Sequence, residues 1–225
     1  MRNLLYKKST YFLLGLIALC FTACKKDDSP YHDYVNTQQT FRGSAMDYLK
    51  AQPKGTFDSL LLVLNRYPFL IDSLTNQKVT LFAPVNKNFE AAVKYLNITR
   101  KNEGKVPVYL SNADWDELGY MLCKYIVRGN KTTDAYIDNV DGMLVKNIVI
   151  GYQMHVKYVK LSSAGYVDGG AATLNFSDTY GSIFTDYWVT TTTNAVNIKT
   201  NNATINILTP IHNFGFDEFT YRLNK

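Results

Sequence analysis

Cys24 is the residue whose surroundings define its chemistry best, because it ends an apolar segment, Tyr11 to Ala23, that follows three basic residues. A basic start, an apolar middle and a small residue before a cysteine form the pattern of a lipoprotein signal peptide. In that pattern the peptide is removed and the thiol is acylated, so that chains such as palmitate hold the protein at a membrane. We therefore expect residues 1–23 to be a signal peptide and Cys24 to be the lipidation site.

The alternative for the apolar segment is a transmembrane anchor. A membrane-spanning helix needs about 20 apolar residues, whereas this run meets charged residues directly after Cys24. The charged run, Lys25 to Asp28, resembles the short acidic signal that sends some Gram-negative outer-membrane lipoproteins to the cell surface; a solvated linker is the alternative. We expect a lipid-anchored protein of the outer membrane, exposed at the cell surface, with a periplasm-facing orientation as the alternative.

Aromatic side chains are the second group with a defined binding chemistry. The chain has 17 tyrosines, and many of them fall in its second half, where one lies beside a tryptophan. Exposed rings stack on sugar faces or anchor protein interfaces, because they bring a large contact area at low entropic cost. The candidates for ligand contact are Tyr166, Tyr180, Tyr187 and Trp188. Packing within the core is the alternative for each of them.

Residues for catalysis or metal binding form no recognisable pattern. A hydrolase needs a nucleophile beside a base, or two facing carboxylates. The best acidic cluster is Asp114, Asp116 and Glu117, but acids are also favoured in the first turn of a helix by its dipole. The histidines are too far apart in the sequence for a metal-type spacing. They are His32, His155 and His212. We expect no catalytic residue, no metal and no cofactor.

Length and charge limit the class of protein. Removal of the signal peptide leaves 202 of the 225 residues, which is enough for a single domain with its own core. The three basic residues of that peptide leave with it, so the formal charge falls from +5 to +2 and a nucleic-acid partner is not predicted. Beside the acylated cysteine only Cys123 then remains, so no internal disulfide is expected. The oligomeric state stays open.

The first half of the chain predicts a tether followed by helices. Residues 24–40 are polar and predict a flexible tether. Beyond it, apolar spacing predicts a short helix near Ser44 and a second helix that Thr56 caps. A buried strand, Val79 to Ala83, precedes a helix for which Asn86 is the expected cap.

The remaining residues predict one more helix and then a sheet. Residues 97–112 are rich in turn formers and predict a surface loop, after which an apolar face predicts a helix that ends near Gly129. From Asp134 onward, β-branched and aromatic runs alternate with turn residues. The expected strands are Met143 to Ile150, Tyr152 to Lys160, Ala172 to Phe176, Tyr187 to Thr192 and Thr204 to Leu208. His155 is expected on the solvent face of its strand.

Three separated segments resemble, in the right order, the signature segments of fasciclin-like domains. They are TLFAPVNKNF at Thr80 to Phe89, LGYMLCKYIVRGNKTT at Leu118 to Thr133, and TNNATINILT at Thr200 to Thr209. The resemblance covers residues 41–219 and leaves residues 220–225 as a C-terminal tail. It implies a single α+β domain in which a helix-rich N-terminal half packs on a β-sandwich or wedge formed mainly by the C-terminal half.

The resemblance also implies a class of function. The closing HNFGF, His212 to Phe216, is similar to the ending of fasciclin-like lipoproteins of Gram-negative surface nutrient systems. Tyr125 and Asn206 stand where the family has histidines, and Ala203 where it has glycine, so roles assigned to those family residues do not transfer. The expected function is non-enzymatic recognition of a glycan or a partner protein beside an outer-membrane uptake system. The alternative is a cell-adhesion or matrix-assembly module that binds other cells or itself.

Overall fold

The computed structural model describes residues 39–162 and 170–225, which hold six α-helices and seven β-strands. The helices are α1 (Ala45–Ala51), α2 (Asp58–Leu64), α3 (Pro68–Asn76), α4 (Asn86–Asn102), α5 (Trp115–Cys123) and α6 (Glu218–Leu223). The strands are β1 (Val79–Ala83), β2 (Ile126–Arg128), β3 (Met143–Lys146), β4 (Gln153–Lys160), β5 (Ala172–Asp178), β6 (Val189–Lys199) and β7 (Ala203–Leu208). The predicted signal peptide, Cys24 and the predicted tether up to residue 38 lie outside the described residues, as does Tyr166.

The seven strands form one mixed sheet in the order β2-β1-β7-β6-β5-β4-β3. The β1 and β7 strands pair in parallel, whereas every other neighbouring pair is antiparallel. Register shifts in β6 mark where the sheet bends. A bridge between Val127 and Asn147 brings the two outer strands together, so the sheet is nearly closed into a barrel or wedge. The fold is therefore α+β, as the sequence predicts.

Helix starts differ in detail from the prediction. Ser44 caps α1 with a full capping box, because its hydroxyl accepts from Asp47 N while the Asp47 carboxylate accepts from Ser44 N. Thr56 does not cap α2, and Asn86 Oδ1 instead accepts from Ser59 N at 2.9 Å. Asn86, the predicted cap of α4, thus caps the neighbouring helix α2 instead. Sequence patterns within one helix do not predict such a contact.

Helix α4 is longer than predicted. It continues to Asn102 through residues expected to form a surface loop. The extra turns are stabilised because Leu96 is buried and the buried Arg100 side chain forms hydrogen bonds with other parts of the chain. The Arg100 guanidinium donates to the carbonyl of Val106 at 2.7 Å and to that of Leu223 at 3.3 Å. These contacts also hold the end of the chain against α4.

The predicted C-terminal tail is a packed helix. Helix α6 begins at Glu218, so the expected boundary after residue 219 falls inside it. Phe219 and Leu223 are buried, and the α6 backbone meets α4 through Arg100. An apolar pair spaced four residues apart is the signal for this helix. Within residues 39–162 and 170–225, no helix combines the length and the apolarity that crossing a membrane requires.

Aromatic rings fill the centre of the domain. Phe82 of β1 stacks on Phe176 of β5 with ring centroids 3.9 Å apart and planes 5° apart. Tyr125 lies beside them, within 5.4 Å of the rings of Phe214 and Phe216. The closing segment of the chain therefore completes the core between the helices and the sheet.

The buried pair of Tyr125 and His212 makes stability depend on pH. Gly215 N donates to Tyr125 Oη at 2.8 Å, so the tyrosine hydroxyl donates in turn to His212 Nε2 at 2.7 Å. Burial lowers the pKa of His212 from 6.5 to about 3, which keeps the imidazole neutral. The unfolded chain takes up a proton near pH 6.5 that the folded chain excludes, so stability is full above that pH and is lost as pH falls towards 3.

We expect the free energy of unfolding to fall by about 2 kcal/mol between pH 7 and pH 5 because of His212. Urea denaturation at several pH values measures this change. A His212→Gln variant, which keeps a neutral side chain at every pH, should be less stable but have a flatter profile. An equally steep fall in that variant contradicts the assignment.

Candidate ligand-binding groove

A polar groove lies on the outer face of the sheet, where β4, β5 and the start of β6 run side by side. Strand register places His155, Ser177 and Thr190 in one row across the three strands. Lys157 and Asn175 form the next row on the same face. Because side chains alternate along a strand, these residues share one face while their neighbours, such as Phe176, enter the core.

Trp188 forms the wall of this groove, which we call the Trp188 groove. Its lining residues are Asp141, His155, Lys157, Asn175, Ser177, Thr185, Trp188 and Thr190. The indole Nε1 donates to the carbonyl of Ser182 at 2.9 Å, and its ring lies 4.7 Å from the His155 ring. These two contacts hold the half-buried indole in one orientation. The ring is therefore presented without a large entropic cost on binding.

The Trp188 groove has the size and chemistry of a site for a polar, hydroxyl-rich ligand. Its volume is about 380 Å³. Lys157 and the Asn175 amide supply donors, and the hydroxyls of Ser177 and Thr190, which bond each other at 2.8 Å, supply donors and acceptors. An aromatic wall with a few convergent polar groups is typical of small-ligand sites.

The loop beside the groove carries the second predicted contact residue, Tyr187. This loop, residues 180–188, exposes four large side chains: Tyr180 is 38%, Ile183 85%, Phe184 64% and Tyr187 68% exposed. The Phe184 and Tyr187 rings meet edge to face at 6.3 Å. Tyr187, which the sequence analysis selected as a candidate, therefore lies on a solvent-exposed loop.

Tyr180 has a structural position rather than a free ring. Its hydroxyl donates to the carbonyl of Phe216, and its ring lies 5.5 Å from Lys124 Nζ. Its backbone has a positive φ of 49°, unusual for a residue with a side chain. These contacts favour the packing alternative for Tyr180, although its side chain is still 38% exposed.

His155 is buried, contrary to the solvent position expected from alternation. Its Nε2–H donates to the carbonyl of Asp141 at 2.8 Å, and Trp188 covers the ring. Burial lowers the pKa of this imidazole. The side chain does face outward from the sheet, but the 180–188 loop folds over it, which strand alternation alone does not reveal.

The acidic cluster considered for cation binding is taken up by structure. Asp114 caps α5 by accepting from Glu117 N at 3.0 Å, and Glu117 pairs with Arg222 at 2.7 Å and with Lys225 at 2.5 Å. Among the described residues, no group of three or more His, Cys, Asp or Glu side chains is placed to hold a metal ion. Burial raises the pKa of the Cys123 thiol to about 11, which keeps it protonated.

A buried charged cluster is the feature that sequence reasoning missed. Lys124 Nζ lies 2.5 Å from Asp178 Oδ2 and 2.5 Å from Glu218 Oε2, and the Lys124 and Asp178 side chains are completely buried. Asp178 and Glu218 are 54 and 94 residues away from Lys124. The sequence did carry one signal: Lys124 directly follows an apolar helix, and lysine rarely buries its charge.

Comparisons with known proteins find similarity to solved structures only. No protein-family profile matches the chain, and no curated protein matches it. Among solved structures, the chain is similar to a FAS1 domain pair from the insect cell adhesion molecule Fasciclin I, with 12% identity and a TM-score of 0.47. The match covers 70% of this chain and 44% of that one, so this chain spans less than half of the solved pair. Membership of the fasciclin family stays a prediction from the sequence segments.

Proposed function

We propose that this protein is a non-enzymatic, lipid-anchored binding protein of the fasciclin-like type that takes a carbohydrate chain in the Trp188 groove. The observation that carries the proposal is the oriented indole of Trp188 beside a floor of hydroxyl, amide and ammonium groups. Sugars present an apolar face of C–H groups and a rim of hydroxyls. A flat ring beside hydroxyl and amide groups is complementary to both.

A glycan-array screen of the full chain in detergent tests this proposal, with neutral, acidic and basic sugars on the array because Lys157 and Asp141 bring opposite charges to the groove. We expect saturable binding that free oligosaccharide competes away. A blank array, or binding that free sugar leaves unchanged, contradicts carbohydrate recognition in the groove.

We expect Trp188→Ala to weaken glycan binding by about tenfold or more, because loss of a central aromatic contact costs more than 1 kcal/mol. Isothermal titration calorimetry with the best array ligand measures the change. Tyr95→Ala is the matched control, since Tyr95 is 59% exposed but lies on α4, away from the groove. Equal losses in the two variants would assign the effect to something other than the groove.

We also propose that Cys24 carries the lipid and that the domain is displayed at the cell surface, as an accessory to an outer-membrane uptake system. The support is the sequence pattern around Cys24 and the charged run after it. Protease added to intact cells should then remove the domain. Full protection until the outer membrane is broken would place the domain in the periplasm. A native protein that takes up no labelled palmitate would contradict lipidation.

A second candidate function is adhesion to another protein or to a second copy of this chain. The exposed apolar side chains of Ile183, Phe184 and Tyr187 favour it, because clustered apolar residues on a surface loop commonly mark protein contacts. A Phe184→Asp variant that loses cell aggregation but keeps glycan binding would support adhesion. Competition by free oligosaccharide would instead assign the aggregation to carbohydrate.

A further inference from the structure

The Lys124 cluster places an amine and a carboxylic group where they can react. Lys124 follows the last residue of α5, and Asp178 is the last residue of β5. The amine nitrogen and Asp178 Oδ2 are 2.5 Å apart, and neither side chain is accessible to solvent. A buried ion pair of this kind is costly to desolvate, so it is a weak stabilising device compared with apolar residues of the same size.

The second oxygen of Asp178 is held as a reacting carbonyl oxygen would be. Tyr152 Oη–H donates to Asp178 Oδ1 at 2.5 Å, and the backbone N–H of Tyr180 donates to the same atom at 2.9 Å. Burial and the Asp178 carboxylate raise the pKa of Tyr152, so its hydroxyl stays a donor. Two fixed donors on one oxygen stabilise the negative charge that develops there when a carbonyl carbon is attacked.

A second carboxylate contacts the amine from the other side. Glu218 Oε2 lies 2.5 Å from Lys124 Nζ, and its carboxylate is also bound by Arg222 at 3.0 Å. Burial alone would raise the pKa of Glu218, but hydrogen bonds from Arg222 and Lys124 lower it overall. Glu218 is therefore an ionised acceptor in direct contact with the nitrogen.

The amine is also shielded by aromatic rings. The rings of Tyr120, Tyr152 and Tyr180 lie 5.0–5.5 Å from Lys124 Nζ. They exclude water from the nitrogen, and exclusion of water favours amide formation over hydrolysis. The cluster thus holds a nucleophile, an electrophile, a proton acceptor and oxyanion donors in one dry site.

We propose that Lys124 and Asp178 condense into an intramolecular isopeptide bond, with Glu218 transferring protons. Lys124 first gives one proton to Asp178 Oδ2, which leaves a neutral amine and a neutral carboxylic acid. The nitrogen lone pair then forms a bond to Asp178 Cγ, and the carbonyl electron pair moves to Oδ1, where Tyr152 and Tyr180 donate.

Collapse of this intermediate completes the reaction. Glu218 takes the second proton from the nitrogen and passes it to the departing Oδ2 hydroxyl group, which leaves as water while the carbonyl re-forms. The ammonium and the carboxylate thus become one amide and one water molecule, Glu218 is regenerated, and no oxidant or cofactor takes part. The bond would join the end of α5 to the end of β5 across 54 residues of sequence.

Tryptic peptide mapping of the full chain tests the bond directly. Trypsin cannot cleave after an acylated Lys124, so we expect a branched product that joins residues 106–128 to residues 161–199. Its mass should be one water molecule below the sum of the two peptides, and its fragment ions should place the link at Lys124 and Asp178. Recovery of free peptides 106–124 and 161–199 from the folded protein means that only an ion pair is present and overturns the proposal.

Two variants separate the chemistry from the fold. Lys124→Arg keeps the positive charge without a nucleophilic amine, so the branched peptide should disappear. Glu218→Gln keeps the amine and Asp178, and its bond formation should be slower by on the order of a hundredfold, as expected for loss of a general base. Circular dichroism confirms that each variant is folded. A Glu218→Gln protein that forms the bond at the normal rate overturns the proton-transfer role.

Discussion

Lys124→Met is expected to lower the free energy of unfolding by about 3–5 kcal/mol, because it removes the one partner that Asp178 has among the described cations. Asp178 is completely buried, and without Lys124 its carboxylate would be a charge in the core. Glu218 loses the same contact but keeps Arg222. If Lys124 is already condensed with Asp178, the variant also removes the cross-link, and the loss should be larger.

Urea denaturation followed by tryptophan fluorescence measures this change, since Trp115 and Trp188 lie on α5 and just before β6. The control is the double variant Lys124→Met, Asp178→Leu, which removes both charges and fills the space with apolar atoms. If the pair is ionic, the double variant should recover a large part of the lost stability, since apolar replacement of a whole buried pair is often neutral. If Lys124 and Asp178 are condensed, the double variant also lacks the cross-link and should stay less stable than the original protein. If the free energy of unfolding of Lys124→Met lies within about 1 kcal/mol of that of the original protein, Lys124 and Asp178 are not a buried pair in which each charge depends on the other.

Phe176→Ala is the second change with a large expected effect. The Phe176 ring stacks on Phe82 at 3.9 Å and meets Phe216 edge to face at 5.5 Å, so its removal opens a cavity at the centre of the sheet. Loss of a buried phenylalanine side chain costs about 3–5 kcal/mol, because the surrounding residues collapse only in part. We expect a loss of that size in the same urea experiment.

Two further variants test whether the loss of stability in Phe176→Ala comes from removal of a buried ring. Phe176→Leu keeps most of the volume and should cost less than the alanine variant, since replacements that conserve volume are tolerated best. Phe184→Ala removes the same ring from a side chain that is 64% exposed, and it should change stability by no more than about 0.5 kcal/mol. Similar losses at positions 176 and 184 would contradict the placement of Phe176 in the core.

Regular elements were predictable where the apolar pattern was local. Strand β1 has the predicted limits, and the capping box at Ser44 marks the start of α1 as expected. The predicted caps Thr56 and Asn86 each lie one residue from the observed N-cap positions, Phe57 and Val85. The backbone N–H of Ser59 instead finds its acceptor on Asn86, which belongs to α4. A cap supplied from a distant element leaves no signal in the neighbouring residues.

The candidate contact residues remain a prediction that rests on residue type. The sequence identified aromatic residues in the second half of the chain, but it could not say which rings face solvent. Tyr180 and Tyr187 are seven positions apart and similar in type, yet Tyr180 donates to Phe216 while Tyr187 is 68% exposed. Side-chain direction in a loop depends on the turns of its backbone, which residue type alone does not specify.

By itself, the sequence determined the α+β class and most of the order of helices and strands, because apolar periodicity is a property of neighbouring residues. It missed α6, expected as a tail, and apolar spacing placed β2 within a helix that ends near Gly129. It also determined which residue types were available for binding. Only the tertiary structure decided that Trp188 stands beside Lys157 and Asn175, and that Lys124 meets Asp178 and Glu218. The physical reason is that these contacts join residues separated by up to 94 positions. They form only after strand register and helix packing have brought distant parts of the chain together.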